Sequence, residues 1–244
     1  MIFAAGLGTR LRPLTADKPK ALVEACGVTM LERVIMRLKD SGVTEIVINI
    51  HHFGDLILDF LKANNNFGVK ILISDERGEL PDAGGGILKA ASMLDGDEPF
   101  IIHNVDILSD INLAQMYQAH LCSNSDVTLL VSDRSTSRYL LFDSEKRMTG
   151  WVNIKSGEAL PAGIDVALYD KKAFGGIHIM NPGVLRLLTQ YNPGGAFPII
   201  PFYVNACSTV DIRGYEPAEA YSWYDIGSVE KLHTAELWLS GNEI

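Results

Sequence analysis

A glycine loop followed by four cationic side chains, near the start of the sequence, is the segment best suited to chemistry. Gly6 and Gly8 come directly after a short apolar run. Because glycine has no side chain, the backbone amides of such a loop can approach an anion closely and adopt positive φ angles. The cations that follow are Arg10, Arg12, Lys18 and Lys20. In a chain of net charge −9, this local positive field indicates a site for a polyanionic small molecule.

Two familiar phosphate-binding motifs do not fit this loop. A dinucleotide-binding loop of the form Gly-x-Gly-x-x-Gly requires a third glycine, and Leu11 stands at that position. An NAD-dependent oxidoreductase would also carry an acidic residue at the end of the second strand, where this chain has His51. The Walker A pattern is excluded because no Gly-Lys-Ser/Thr follows at the required spacing.

Residues 4–15, together with Lys18, Pro19 and Lys20, resemble the signature of the sugar-1-phosphate nucleotidyltransferases, and further matches extend the resemblance to nearly the whole chain. The resemblance implies an α/β fold with a Rossmann-like mixed, mainly parallel sheet flanked by helices and a small, partly antiparallel sugar-binding lobe. It also implies a reaction in which an NTP and a sugar 1-phosphate give an NDP-sugar and pyrophosphate. Within the family, the compact chain is most similar to short N-acetylmuramate-1-phosphate uridylyltransferases and small mannose-1-phosphate guanylyltransferases. This similarity implies UTP or GTP as the nucleotide donor.

Arg10 and Lys20 are the predicted catalytic cations. Arginine can bind two phosphate oxygens at once, whereas lysine acts as a point charge suited to the α-phosphate. The segment 82–87 contains three glycines that would let a nucleobase or ribose lie against bare backbone, and the family has a base-contacting loop here. A carboxylate just upstream could accept an N–H from uracil or guanine. The predicted nucleotide-binding residues are Ala5, Gly6, Gly8, Thr9, Glu76, Asp82, Ala83, Gly84 and Gly85.

Asp106 and Asp225 are the predicted metal ligands. Asp106 follows an apolar strand, so its carboxylate emerges at the carboxyl edge of a sheet, where open α/β sheets bind ligands. Asp225 lies in the segment 223–228, which resembles the second metal-binding motif of the family. One Mg²⁺ held by two carboxylates plus substrate phosphates needs no protein cage. The expected cofactor is therefore Mg²⁺.

The sugar phosphate is expected to bind in the second half of the chain. The segment 174–178 resembles the sugar-binding strand of the family, with Gly176 at its centre. Arg138, Asn153 and Lys155 are the predicted phosphate contacts. The chain departs here from the acidic and lysine pattern common in the family, so the identity of the sugar stays open.

Alternating strands and helices must position these groups. We predict strands over 2–4, 45–50, 69–73 and 100–103, with helices over 29–41, 54–63 and 85–94. In the second half, the pattern predicts strands over 127–131, 138–142, 150–154 and 174–180, with helices over 182–188 and 229–239. The segment 152–173 is irregular and is left unassigned. We expect one domain over 1–244, in which 1–125 binds the nucleotide and 126–244 binds the sugar phosphate and supplies a closing helix. The shortness of the first strand also leads us to expect a few residues upstream of Met1.

Composition narrows the class of protein. With 244 residues, 47% of them hydrophobic, the chain can bury a substantial core. The negative net charge argues against a nucleic-acid partner, and the chain has neither a long apolar run nor a secretory signal, so we expect no membrane association and a cytoplasmic monomer or small homo-oligomer. Cys26, Cys122 and Cys207 are expected to be reduced and mostly buried.

Two other functions stay open at the level of sequence. Cytidylyltransferases that act on phosphocholine share the opening motif. A catalytically silent, nucleotide-sensing subunit of the same fold is the second alternative, although the presence of both catalytic cations and both aspartates argues against it.

Overall fold

The computed structural model describes residues 1–241, in which short strands and helices alternate. The strands are β1 (Ile2–Phe3), β2 (Glu24–Ala25), β3 (Val28–Thr29), β4 (Glu45–Ile50), β5 (Lys70–Asp75), β6 (Phe100–Asn104), β7 (Ile107–Ser109), β8 (Val127–Ser132), β9 (Arg138–Phe142), β10 (Met148–Asn153), β11 (Glu158–Leu160), β12 (Asp170–Met180), β13 (Ile212–Tyr215) and β14 (Trp223–Asp225). The helices are α1 (Met30–Asp40), α2 (Gly54–Ala63), α3 (Asp82–Lys89), α4 (Ala91–Leu94), α5 (Leu113–Ser123), α6 (Gly183–Tyr191), α7 (Ile199–Ala206) and α8 (Val229–Leu239).

A ten-stranded mixed sheet runs through the molecule. Its parallel part has the order β6-β1-β4-β5, in which the short β1 pairs with a longer strand on each side. The long β12 continues the sheet antiparallel to β6 and then pairs with both β8 and β9, while β10 and β11 extend the far edge. The predicted mixed sheet with a partly antiparallel lobe is confirmed.

Helices cover both faces of the sheet, and each face has its own apolar core. One core contains side chains of α1, α2, α5 and α8, and the other contains side chains of α3, α6 and α7. Strands buried on both faces read as continuous apolar runs, as in β4, where every residue after Glu45 is buried. A polar residue inside such a strand, such as Asn49 in β4, therefore needs a specific hydrogen-bond partner.

A two-stranded antiparallel ribbon, β7 with β14, lies beside the main sheet. Its register pairs Asp225 with Ile107, and the amide of Ile226 donates to the backbone oxygen of Asp106 at 3.0 Å. This ribbon joins a segment from the middle of the chain to one near residue 225. It brings the two predicted metal ligands to neighbouring positions.

The predicted elements agree with the structure where the pattern is strongly periodic. The spans 45–50, 54–63, 138–142 and 229–239 match the observed elements to the residue. The single helix predicted over 85–94 is wrong, because the chain forms two short helices, α3 and α4, with a break at Ala90. The unassigned segment 152–173 contains β11 and a short 3₁₀ turn, and α5, α7, β7, β13 and β14 were not predicted.

The expectation that the cysteines are mostly buried is also wrong. Cys26 and Cys122 are exposed, and Cys207 is half-buried. Among residues 1–241, none of the helices combines the length and the apolar character needed to cross a lipid bilayer.

Candidate active site

A cavity of about 600 Å³ opens at the carboxyl ends of β1, β4 and β6. Carboxyl edges of parallel strands are where α/β sheets bind ligands. Ten of the sequence-predicted residues line this one cavity: Ala5, Gly6, Gly8, Thr9, Arg10, Lys20, Glu76, Asp82, Ala83 and Asp106. Seven of the nine predicted nucleotide-binding residues, both predicted catalytic cations and one of the two predicted metal ligands are therefore gathered in one place.

The glycine loop is held by its own backbone and by one side chain. Gly8 has a φ of +61°, and its backbone oxygen accepts hydrogen bonds from the Leu11 amide at 2.9 Å and the Thr15 hydroxyl at 2.8 Å. A Cβ at this position would lie 3.0 Å from Thr15 Cγ2. Both the positive φ and the close contact require glycine here. Leu11, which stands where a dinucleotide-binding loop needs its third glycine, is fully buried as an anchor of the loop.

Lys20 and Asp106 form an ion pair on the cavity wall. Lys20 Nζ donates to Asp106 Oδ2, and the two side chains are 10% and 23% exposed. Lys20 is positioned by the 3₁₀ turn Lys20–Leu22, and Asp106 by the tight turn between β6 and β7. A cation and a hard carboxylate thus face the same small volume, which suits a phosphate that carries a bound divalent cation.

Asp225 lies just behind the wall of the cavity. Its Oδ2 accepts a hydrogen bond from Lys231 Nζ at 2.8 Å, whereas its Oδ1 is buried and has no hydrogen-bond partner within residues 1–241. A Cβ on Gly227, which lines the cavity, would lie 2.8 Å from this oxygen and 3.4 Å from a guanidinium nitrogen of Arg10. The absence of a side chain at Gly227 therefore leaves an unpartnered carboxylate oxygen next to a cavity residue.

The donor set fits a magnesium ion better than a transition metal. Within the described residues, no group of three or more His, Cys, Asp or Glu side chains is arranged as a metal site. Asp106 and Asp225 supply hard oxygen donors, one of them an unpartnered buried atom. Mg²⁺ is typically bound by one or two carboxylates together with substrate phosphates and water. These residues satisfy that requirement.

The opposite end of the cavity is built around a buried carboxylate. Glu76 is 1% exposed, and its Oε1 accepts a hydrogen bond from Asn49 Nδ2 at 3.0 Å. Burial raises the pKa of Glu76 above its usual value. Asp82 adopts a φ of +59°, and its Oδ1 accepts a hydrogen bond from the Ala83 amide at 2.6 Å. A nucleobase at this end would meet a carboxylate and the start of α3.

The three glycines of α3 serve to pack the helix closely against protein, which differs from the prediction. Gly84 and Gly85 do not line the cavity, and their amides donate to the backbone oxygen of Phe197 at 2.9 and 3.3 Å. A Cβ on Gly84 would lie 2.3 Å from the Phe197 ring, and one on Gly86 would lie 3.0 Å from Glu76 Oε1. The bare backbone is therefore covered by protein rather than offered to a base.

The four predicted sugar-phosphate residues are not on the wall of this cavity. Gly176 is buried, with a φ of +75°, and a Cβ there would lie 3.0 Å from Asn104 Nδ2. Arg138 and Asn153 are paired across β9 and β10, and Asn153 Oδ1 accepts a hydrogen bond from the amide of Lys155. The structure thus groups three of them on one hairpin and places the fourth beside the end of β6.

Several residues of the site were missed by sequence reasoning. Asn49, Asn104 and Gly227 line the cavity, and Lys231 reaches Asp225 from the first turn of α8. Asn49 had a usable signal, since it is the one polar residue between Ile46 and Ile50 in a buried strand. Gly227 lies within the motif at 223–228, whereas the roles of Asn104 and Lys231 depend on contacts between distant segments.

The fold is a Rossmann-like α/β architecture with a cavity at the carboxyl edge of its parallel strands, where folds of this class bind ligands. The family model described as "Nucleotidyl transferase" matches residues 1–240, and the chain belongs to that family. The resemblance inferred from the loop motif is thereby confirmed.

Individual relatives agree with this assignment. The chain is 32% identical to an N-acetylmuramate alpha-1-phosphate uridylyltransferase of Caulobacter vibrioides over 98% of this chain and 96% of that protein. It is 31% identical to a probable mannose-1-phosphate guanylyltransferase of Oryza sativa over 76% of this chain, and the match spans 50% of that longer protein. A crystal structure of a putative glucose-1-phosphate thymidylyltransferase from Bacillus anthracis shares the fold, with a TM-score of 0.81 at 15% identity, covering 100% of this chain and 95% of that one.

Proposed function

We propose that the protein transfers a nucleotidyl group from an NTP to a sugar 1-phosphate, giving an NDP-sugar and pyrophosphate. The observation that carries the proposal is that the glycine loop, Lys20 and Asp106 line one cavity, with Asp225 next to the cavity residue Gly227. The names of the relatives support it, because they describe a uridylyl transfer and a guanylyl transfer to sugar phosphates.

In this reaction an oxygen of the sugar phosphate attacks the α-phosphorus of the NTP, and the bond from that phosphorus to the pyrophosphate oxygen breaks. The nucleophile is already an anion, so no general base is needed and catalysis consists of positioning and charge neutralisation. In this proposal Lys20 neutralises charge at the α-phosphate and Arg10 binds the β- and γ-phosphates, and both line the cavity. The amides of the Gly6–Gly8 loop supply further donors to the phosphates.

Asp106 and Asp225 would hold Mg²⁺, which, when bound, neutralises phosphate charge and orients the triphosphate. Lys20 and Lys231 each contact one oxygen of these carboxylates. Each carboxylate is therefore oriented by a charged hydrogen bond at one oxygen, and its other oxygen is left for a divalent cation.

The two halves of the chain divide the substrates between them. Residues 1–125 are proposed to bind UTP or GTP, with Glu76 at the base and the glycine loop at the phosphates. Residues 126–244 are proposed to bind the sugar phosphate, with Arg138, Asn153 and Lys155 as its contacts and Gly176 beside the sugar.

A pyrophosphate-release assay tests the proposal. UTP, GTP, CTP, dTTP and ATP are each paired with a panel of sugar 1-phosphates and phosphocholine, with Mg²⁺ or with EDTA. We expect release with UTP or GTP and a sugar 1-phosphate, and loss of release in EDTA. Release only with CTP and phosphocholine would identify the cytidylyltransferase alternative, and nucleotide binding without any release would identify a nucleotide-sensing subunit.

Lys20→Met tests the role of the catalytic cation in the same assay. The change keeps the length of the side chain and removes its charge, so we expect kcat to fall about 100-fold or more, the scale for losing one preorganised stabilising group. Lys18→Met is the matched control, because Lys18 is two residues away and does not line the cavity. Equal turnover in both variants would reject the assignment of Lys20.

A further inference from the structure

A buried side-chain amide joins the two ends of the nucleotide cavity. Asn49 lies in β4 and is 3% exposed. Its Oδ1 accepts hydrogen bonds from the backbone amides of Ala4 at 2.7 Å and Ala5 at 3.2 Å, where the chain leaves β1 for the glycine loop. Its Nδ2 donates to Glu76 Oε1 at 3.0 Å. One side chain thus contacts the start of the phosphate loop and the carboxylate at the base end.

The surroundings leave this pair of side chains little freedom. The backbone amide of Glu76 donates to the Ile50 oxygen at 2.8 Å, and its backbone oxygen lies 2.6 Å from His51 Nδ1, so the residue is fixed to the end of β4. Gly86 of α3 closes the other side, because a Cβ there would lie 3.0 Å from Glu76 Oε1 and 3.5 Å from Asn49 Nδ2. The orientation of the carboxylate is consequently set by the Asn49 amide.

We propose that Asn49 is a positioning residue, which fixes the start of the glycine loop and the Glu76 carboxylate relative to each other and so sets the distance between the phosphate and base ends of the cavity. The inference rests on the proposed function, in which the loop holds the phosphates and Glu76 faces the base. Asn49 and Glu76 both line the cavity together with Ala5 and Gly6, so a shift of either contact is transmitted to bound nucleotide.

The chemistry of the position requires an amide. Asparagine accepts two hydrogen bonds at one atom and donates from the other. Aspartate at position 49 would still accept the Ala4 and Ala5 amides, but its second oxygen would face the Glu76 carboxylate and repel it. With glutamine at position 76, the same aspartate would instead receive a hydrogen bond from the glutamine amide. The effect of Asn49→Asp should therefore depend on which residue stands at position 76.

Four proteins test this dependence: wild type, Asn49→Asp, Glu76→Gln and the double variant. For each, KM for UTP and kcat are measured at saturating sugar 1-phosphate, and the Kd for UTP with Mg²⁺ is measured by calorimetry. We expect Asn49→Asp to raise KM and Kd about tenfold or more beside Glu76, as expected for losing a hydrogen bond to a charged group, with a smaller change in kcat. In the Glu76→Gln background the same substitution should change both constants less than about threefold.

Asn181→Asp is the control for a disturbed, half-buried amide outside the cavity. Asn181 accepts a hydrogen bond from the His120 ring and donates to the backbone oxygen of Ser125. We expect this variant to lose stability without a change in the KM for UTP. If Asn49→Asp does not fold, Asn49→Ala is measured in both backgrounds, and it should raise KM in each because it contacts neither partner.

The inference is overturned if Asn49→Asp binds UTP with the affinity of wild type, or if the substitution weakens UTP binding equally with and without Glu76→Gln. It is also overturned if Asn181→Asp raises the KM for UTP as much as Asn49→Asp does. Failure of the proposed function gives a different result. A wild-type protein that binds UTP but forms no pyrophosphate with any acceptor rejects the reaction, while the four Kd values still test Asn49.

Discussion

Gly84→Ala is expected to destabilise the protein, although alanine normally stabilises a helix by about 1 kcal/mol relative to glycine. The new Cβ would lie 2.3 Å from the Phe197 ring, where ordinary contact begins at 3.4 Å. The ring cannot move away easily, because Phe197 is buried and its ring packs against that of Tyr191 at a centroid distance of 5.8 Å. The backbone cannot move easily either, because the Phe197 amide donates to the Pro81 oxygen and its own oxygen accepts from Gly84 and Gly85. Overpacking of this kind costs about 1–3 kcal/mol, and the helix gain of about 1 kcal/mol offsets part of it, so we expect a net loss of up to about 2 kcal/mol.

The assay is urea unfolding followed by circular dichroism, with the KM for NTP as a second readout. Gly183→Ala is the control, because Gly183 lies in the first turn of α6 with no atom within 4 Å of its would-be Cβ, and we expect it to stabilise by about 0.4–1 kcal/mol. Gly84→Ala should also raise the KM for NTP, because a shift of α3 would displace Asp82 and Ala83, which line the cavity just before Gly84 in sequence. A Gly84→Ala protein as stable as Gly183→Ala would refute the packing argument.

Three further predictions concern pH, the positive-φ glycine of β12 and the lysine that contacts Asp225. Burial lowers the pKa of His103 to about 4 and that of His178 to about 3. Below a pH of about 6.5 the unfolded chain therefore binds more protons than the folded one. The free energy of unfolding, measured by urea titration at each pH, should fall by several kcal/mol as the pH drops from about 6.5 towards about 4. Gly176→Ala should lower stability by about 1–3 kcal/mol, because the residue has a φ of +75° and a Cβ would lie 2.9 Å from a buried isoleucine; an unchanged urea midpoint would contradict this. Lys231→Met should raise the Mg²⁺ concentration for half-maximal activity about threefold, because it removes the hydrogen bond that orients the Asp225 carboxylate. A lower Mg²⁺ requirement would show that the lysine competes with the cation for Asp225 instead.

Sequence predicted the elements whose periodicity is local. The boundaries of α2 and β4 follow from residue spacing and apolar content within the segment itself. By contrast, α7 is apolar on nearly all sides and contains Pro201, so it has no amphipathic period to detect. The strand β14 is three residues long and exists because β7 pairs with it. Elements defined by a distant partner could not be found from local pattern.

The same distinction holds for the candidate site. The glycine loop, Arg10 and Lys20 lie close together in sequence, and their chemistry could be predicted from residue type. The packing of α3 against Phe197 could not, because glycines that admit a ligand and glycines that admit a neighbouring side chain have the same sequence signal. That Asp225 lies near Asp106 could be predicted only from family resemblance, because the two strands of the ribbon that joins them are more than a hundred residues apart in sequence.

The ribbon of β7 and β14 determines when the active site can be completed during translation. The phosphate loop and Asp106 are translated early, but Asp225 reaches its neighbour only after the lobe between them has been made and β14 has paired with β7. A nascent chain, or a fragment cut anywhere between the two aspartates, therefore lacks the second carboxylate and the part of the core that α8 supplies. Turnover should begin only when synthesis has passed β14.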